Sequence, residues 1–409
     1  MNDWTDAVPA AVRPSLATTG FHPAPILADL PGVRVCVRCL MDTTDPEIRF
    51  DVAGVCHHCQ DYEREVALRV RGGDEGRGIL AARVEQIRRD GIGRPYDCVI
   101  GVSGGVDSTY VAYTVKQLGL RPIAVHLDNG WDSEIAATNI SGAIRALEID
   151  LETIVIDWEE FKDLQLAFLR SGVPDCEIPT DHAIVSSLRV VAQRYGVRHS
   201  IWGYNTRTET HLPKAWSQGH FDWGYIRAVH RQFGTGQIRT YPHLPFAVSL
   251  PGAARIRHLN VLDYVDYVKS DAVALLQREV GWRSYGGKHH ESVYTRWYQG
   301  WFLPTRFGYD KRKVHLSSLI CSGELTREQA LRELRQPPYA EDLQRADTEY
   351  VSKKLGLDAA AFAAIMAGPK RSFADFPSYA RVRDGRTYRA AQQVYRFAKR
   401  RLLGGGARP

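Results

Sequence analysis

Between residues 96 and 202 the chain alternates short apolar runs with amphipathic segments. DCVIGV, STYVAYTVKQLG, PIAVHLD, SEIAATNISGAIRAL and LETIVID come first; helical patterns through Phe161 to Leu169 and from about Asp181 to Arg194 follow, and then the run HSIWGYN. Continuous apolar strands separated by amphipathic helices point to an α/β fold with a parallel sheet covered on both faces. In such sheets ligands bind at the carboxyl ends of the strands. At 409 residues, 44% hydrophobic and 24% charged, the chain is of ordinary globular composition and long enough for two or three packed units.

The first strand-to-helix connection carries the most chemistry. In DCVIGVSGGVDSTYVAYTV, Val99 to Val102 read as a strand, Ser103 to Asp107 as a small-residue loop, and Ser108 onward as a helix ending near Gly119. Gly104 and Gly105 let the backbone turn sharply and approach a ligand. The free N–H groups at the helix start, with roughly +0.5 charge from the macrodipole, favour an anion there. Ser103 and Ser108 add hydroxyl donors. Asp107 would repel a phosphate unless a divalent cation lay between them, so its presence implies Mg²⁺. The loop fits neither G-x-x-x-x-G-K-[ST] nor G-x-G-x-x-G.

Four of the seven cysteines form two pairs, Cys36-x₂-Cys39 and Cys56-x₂-Cys59, sixteen residues apart. That spacing suits one tetrahedral Zn²⁺ held by four thiolates, a closed structural site that stabilises a segment with few apolar residues. His57 and His58 are then expected to face solvent. The acidic stretch LMDTTDPEIRFDVAGV between the pairs disfavours a nucleic-acid finger. Cys98, inside the first strand, reads as a small buried hydrophobe. Cys176, in the polar loop VPDCEIPTDH, leaves open a sulfur-carrying role.

The remaining chain gives a provisional division: a loosely ordered extension over 1–30, the zinc element over 31–65, a helical linker over 66–95, a nucleotide domain over 96–250, a helical substrate-side region over 251–370 and a tail over 371–409. No run approaches the roughly 20 apolar residues of a membrane helix, and Asp3 and Asp6 do not suit a signal peptide, so the expected location is the cytoplasm. The net charge of +6 does not choose a partner, but Lys288, His289, His290, Glu291, Arg296, Lys311, Arg312 and Lys313 concentrate near aromatic residues, where a pocket wall and a solvated or core face both remain possible.

SGGVDS resembles the signature loop of the PP-loop ATP pyrophosphatase superfamily, whose fold is of the adenine nucleotide alpha hydrolase kind. That likeness implies ATP cleaved between its α- and β-phosphates. It also implies nucleotide contacts for Asp128 in HLDNGW and for Asn205 and Glu209 in GYNTRTE, where Tyr204 stands in place of a second glycine; Asp128 equally fits a cap before Trp131. CVRCLMDTTDP with its second cysteine pair, SGGVDS, IPTDHA, KHHES, LPTRFGYDKRKVHLSSLICSG and KKLGL occur in the order seen in the N-acetyl sugar amidotransferase family of surface-polysaccharide and pseudaminic acid-type biosynthesis. The resemblance, over roughly residues 33–370, implies conversion of an acetamido sugar to an acetamidino sugar. The amide oxygen would be adenylated and then displaced by ammonia from a partner glutaminase. Ser103, Gly104, Gly105 and Ser108 would hold pyrophosphate and Asp107 the Mg²⁺; Lys288, Lys311 and Arg312 are candidates for stabilising developing negative charge, and His289 and Glu291 are candidates for a general base that no motif assigns. A tRNA-thiolating enzyme using Cys176, or amidine formation on a non-sugar amide, is the alternative.

Overall fold

The computed structural model describes residues 32–249, 256–286, 290–338, 340–383 and 385. The expected extension over 1–30, Lys288, His289 and most of the C-terminal tail lie outside them. Five parallel strands, β1 (Cys98–Gly101), β2 (Pro122–Asp128), β3 (Asp150–Val155), β4 (His199–Trp202) and β5 (Arg257–Asn260), form one sheet in the order β3-β2-β1-β4-β5. Helices α1 (His57–Arg69) and α2 (Gly73–Asp90) precede it. Helices α3 (Val106–Gln117), α4 (Glu134–Ala146), α5 (Trp158–Ser171), α6 (Ile178–Arg194), α7 (Thr206–Glu209) and α8 (Trp223–Phe233) fall between its strands. After β5 come α9 (Lys269–Val280), α10 (Val293–Trp297), a π-helical turn (Tyr298–Phe302), α11 (Leu303–Phe307), α12 (Lys311–Ser322), α13 (Arg327–Leu334), α14 (Glu341–Leu355), α15 (Ala359–Ala367) and α16 (Tyr379–Arg383).

Strand period places the two faces of the sheet. Cys98, Ile100 and Val102 point into a core with Leu80, Val84 and Ile87 of α2, Val111 and Val115 of α3 and Ile140 of α4. Val99, Ile123 and Val125 point the other way, onto Leu188, Val191 and Ala192 of α6. Both faces of the central strands β1 and β2 are covered, as their unbroken apolar runs require, whereas the edge strand β3, expected to be equally covered, alternates and has no buried residue. Cys98 is fully buried, as expected of a small hydrophobe. The sheet also extends past residue 250, because β5 pairs with β4 from His199–Arg257 to Trp202–Asn260. Only Leu259 of this four-residue edge strand is buried.

The aromatic side chains after residue 290 are core, while polar residues between them are left for the pocket described below. Tyr294, Trp297, Tyr298, Trp301 and Phe302 pack with Trp131, Phe161 and Phe168 in a third apolar cluster. A short antiparallel bridge, Asp132 with Ser292, ties this region to the carboxyl end of β2; Ser133 N–H donates to Glu291 O at 2.8 Å and Val293 N–H to Trp131 O at 2.9 Å. No described helix is long and apolar enough to cross a membrane.

Candidate active site

The order β3-β2-β1-β4-β5 reverses direction at β1, so the connections leaving β1 and β4 diverge and open a crevice at their carboxyl ends. The SGGVDS loop fills that position. Gly104 has φ +76°, and a Cβ there would lie 2.6 Å from the Ala136 carbonyl, so both backbone conformation and packing against α4 demand glycine. Its own carbonyl accepts from Trp282 Nε1 at 2.9 Å and Asn139 Nδ2 at 3.3 Å. Ser103 and Ser108 place their hydroxyls 3.2 Å apart, with Ser108 Oγ donating to Gly105 O at 3.1 Å. Gly203, just past β4, lets that strand end come within 3.4 Å of the Asp107 backbone, measured from an added Cβ. Strand end, hydroxyl pair and α3 N-terminus thus meet in an arrangement suited to a polyphosphate.

The loop opens into a cavity of about 430 Å³, in the size range of small-molecule sites. Ser103 and Ser108 line it beside His126, Asp132, Asp175, Glu177, Asp181 and His220, and the region after β5 contributes Glu291, Thr295, Gln299 and Lys311. Lys311 Nζ lies 3.1 Å from Glu177 Oε2 and 3.9 Å from Asp175 Oδ2. Gln299, on the π-helical turn, donates to Glu177 at 2.6 Å. His220 Nε2 stands 3.4 Å from Asp181 and 3.7 Å from Asp175. A larger opening of about 850 Å³ between α2 and β5 contains none of the residues singled out from the sequence.

The cavity charges set one another. Burial alone would raise Asp175, but Lys311 and His220 outweigh it and hold the carboxyl below its usual range. Burial lowers Lys311, yet Asp175, Glu177 and Asp181 raise it further, so it stays a cation. Asp181 is pushed up to about 6, first by its recessed position and then by Asp175 and Glu177, against the opposing pull of His220. Its side chain still keeps 46% of its surface open to the cavity. His126 donates from Nδ1 to the Val102 carbonyl at 3.1 Å and contacts Asp132 through Nε2 at 2.8 Å. Burial disfavours its charge, but these partners overcome that and raise its pKa.

Ser103, Ser108 and Lys311 therefore share one cavity, with Gly104 and Gly105 shaping its loop. Several other expected residues sit differently. Asp107 accepts a hydrogen bond from the Tyr267 hydroxyl and is not among the cavity-lining side chains. Asp128 accepts from Gly130 N–H at 2.9 Å, closing a turn rather than lining the pocket. Asn205 is buried and caps α7 through Arg207 N–H at 3.0 Å, while its own N–H donates to Glu209 Oε2 at 3.2 Å. Arg312 is spent on Asp310, at 2.7 Å, and on the carbonyls of Gln336 and Leu334. Cys176 is 1% exposed, and burial drives its thiol far above the ordinary range.

The cavity instead recruits Asp175, Asp181, His220, His126 and Asp132. In the sequence Asp175 and Asp181 flank the thiol of VPDCEIPTDH, and only their shared loop-to-helix position could have marked them. For a divalent cation, Glu291 and Asp132 are the acidic groups that line the pocket beside the loop; Glu291 Oε1 comes within 3.8 Å of a Cβ placed on Gly105. Such a cation binds through one or two carboxylates plus substrate phosphates.

The cysteine pairs form a separate centre. Cys36, Cys39, Cys56 and Cys59 are all buried, and their sulfurs lie 3.9 Å (Cys36–Cys59), 3.6 Å (Cys39–Cys56) and 3.8 Å (Cys56–Cys59) apart. Four thiolates about 2.3 Å from one ion span tetrahedral edges of about 3.8 Å, so the donor set fits Zn²⁺. Backbone N–H groups of Arg38, Cys39 and Cys56 point at Cys36 Sγ, at 3.4, 3.5 and 3.2 Å, as second-layer support. His58 is not solvent-facing as expected; it is buried, with Nε2 2.7 Å from Asp45. The element docks on α12: Leu40 N–H donates to Ser317 Oγ at 3.0 Å and Lys313 pairs with Asp42 at 3.0 Å.

Comparison with known proteins locates one part of the chain. Residues 291–392 match the family described as LPS biosynthesis protein WbpG-like, C-terminal domain. No curated protein matches the chain. Among solved structures, NMN synthetase from Francisella tularensis aligns at 15% identity over 61% of this chain and 94% of that one, with a TM-score of 0.30. The U34-tRNA thiolase NcsA from Methanococcus maripaludis, solved with its 4Fe-4S cluster, aligns at 14% identity over 73% of this chain and 88% of that one, with a TM-score of 0.31.

Proposed function

We propose, for a chain that carries the C-terminal domain of the WbpG-like LPS-biosynthesis family, that it is an ATP-dependent amidotransferase acting on an N-acetyl sugar for a surface polysaccharide. One observation carries the reading: the phosphate-type loop and the family segment, through Glu291, Ser292, Thr295, Gln299 and Lys311, line the same cavity. A nucleotide held by the loop would present its α-phosphate to a substrate held by that wall.

An amide carbon is a poor electrophile, and its oxygen a poor leaving group. In the reaction proposed, the acetamido oxygen attacks the α-phosphorus of ATP and the bond to the β-phosphate breaks, releasing pyrophosphate. Ammonia then adds to the imidate carbon, AMP departs with the former amide oxygen, and one proton is lost to leave the acetamidine. Ser103, Ser108 and the α3 N-terminus would hold the departing pyrophosphate. Lys311, kept cationic by its acidic neighbours, would offset charge developing on phosphate oxygens. Asp181, in contact with His220, is the group placed to take the proton from the attacking nitrogen. Mg²⁺, when bound beside Glu291 or Asp132, would supply further neutralisation of the phosphates.

Ammonia from a separate glutaminase completes the proposal. Cys98 and Cys176, both buried with thiols pushed up, are unsuited to a glutaminase nucleophile. The same burial sets Cys176 against a sulfur-carrying role in tRNA thiolation. Purified protein given Mg-ATP, an ammonium salt and free or nucleotide-linked N-acetyl sugars should release AMP and pyrophosphate in step with a product lighter by the difference between oxygen and NH. ADP as the nucleotide product, or turnover of ATP without change in any amide tried, argues against the reading.

A further inference from the structure

Beside the four-cysteine cluster lies a trio of side chains that the proposed reaction leaves unused. Cys321, near the end of α12, places Sγ 3.8 Å from Cys59 Sγ and 3.6 Å from His211 Nε2. The three ligand atoms lie within 4.8 Å of one another. Each comes from a different part of the chain: Cys59 from α1, His211 from just past α7, Cys321 from the helical region after the sheet.

Ser318 Oγ lies 2.9 Å from His211 Nδ1 and 3.2 Å from the Val314 carbonyl, so it can accept from Nδ1–H while donating to Val314. In that tautomer His211 turns the lone pair of Nε2 toward Cys321. The ring is fully buried. This is the arrangement of a metal-ligating histidine, whose second nitrogen is fixed by an outer hydrogen bond.

The distances fit a bound ion. In a tetrahedral site with thiolates about 2.3 Å and imidazole nitrogen about 2.05 Å from the metal, S–S edges are about 3.8 Å and S–N edges about 3.5 Å. The two contacts of Cys321, 3.8 and 3.6 Å, match them. We propose that a second thiophilic divalent cation, of the zinc class, binds between Cys59, His211 and Cys321, with Cys59 bridging it to the ion of the four-cysteine set. Its donors exclude an oxygen-seeking cation such as Mg²⁺. Three protein ligands leave a fourth position for water. The ion pins the N-terminal element, the nucleotide-binding sheet and the helical region at one point.

The inference rests on the four-cysteine set holding its own ion, and metal counting separates the two. Full-length protein, purified without chelator and analysed by plasma mass spectrometry, should hold two equivalents of zinc, and Cys321→Ser and His211→Ala should each hold one. One equivalent in the unaltered protein, or two retained in Cys321→Ser, overturns the second site. Less than one equivalent overturns the four-cysteine ion as well. A test free of variants is cadmium NMR of the exchanged full-length protein. Two resonances with scalar coupling to each other through the shared thiolate are expected, and a single resonance or an uncoupled pair overturns the bridge.

Discussion

Lys311 Nζ lies 3.1 Å from Glu177 Oε2, in the same cavity that Ser103 and Ser108 enter from the phosphate loop. The pair joins α12 to the start of α6 and sets a fixed cation where substrate phosphates are expected. Removing the cation leaves Glu177 with Gln299, and the more deeply buried Asp175 with His220, as their remaining partners. Lys311→Ala should lower AMP formation by about 10²-fold or more, as for loss of one preorganised charge. It should also cost about 3 kcal/mol in urea melts, the low end for a broken buried pair because the cavity admits water. Wild-type turnover in a folded Lys311→Ala protein would remove this residue from the mechanism.

Gly104→Ala tests the loop. The substitution forces a positive φ on alanine and sets its Cβ 2.6 Å from Ala136 O. The backbone term alone is of order 1–3 kcal/mol, and the clash adds to it, so the loop should shift and ATP-dependent turnover should fall below detection. Gly93→Ala is the control: it has φ +75° but nothing within 4 Å of an added Cβ. It should lose about 1 kcal/mol and keep its activity. Equal losses of activity in the two variants would show that packing at Gly104 is irrelevant.

Asp181 gives a pH signature. With its carboxyl pushed up to about 6, it is protonated and unable to accept a proton below that pH, and ionised above it. At fixed free-ammonia concentration, kcat for the ammonia-dependent reaction should rise as pH increases through about 6. Asp181→Asn should be slow and should lack that limb of the profile. A profile unchanged by the substitution assigns the limb to another group.

Arg312→Ala should leave kcat within about twofold of wild type and cost about 1 kcal/mol of stability, because its guanidinium serves Asp310 and two backbone carbonyls rather than substrate. A drop of two orders of magnitude in kcat at unchanged stability would return it to the site.

Much of the scaffold is legible in residue pattern. β1 and β2 are apolar runs, α4 and α5 show clear amphipathic period, and the paired cysteines carry their spacing openly. The fifth strand is hidden because RHLN buries only Leu259 and has no period to detect. Lys311 and Arg312 look equivalent in sequence, yet successive residues on α12 face directions about 100° apart, so one enters the cavity and the other turns to Asp310 and the carbonyls at the end of α13. Asp175, Asp181 and His220 meet only because α6, the segment before α8 and α12 converge. His58 reverses an expectation because Asp45 supplies a buried partner thirteen positions away.

The central claim is that the acetamido oxygen becomes bonded to the α-phosphorus. Synthesis of the N-acetyl sugar with heavy oxygen in its acetamido carbonyl, followed by turnover with unlabelled ATP and ammonia, measures this directly by mass spectrometry of the nucleotide product. The account predicts AMP carrying the heavy oxygen on its phosphate in one-to-one proportion with acetamidino sugar formed. Unlabelled AMP, or heavy oxygen recovered in inorganic phosphate beside ADP, would contradict it.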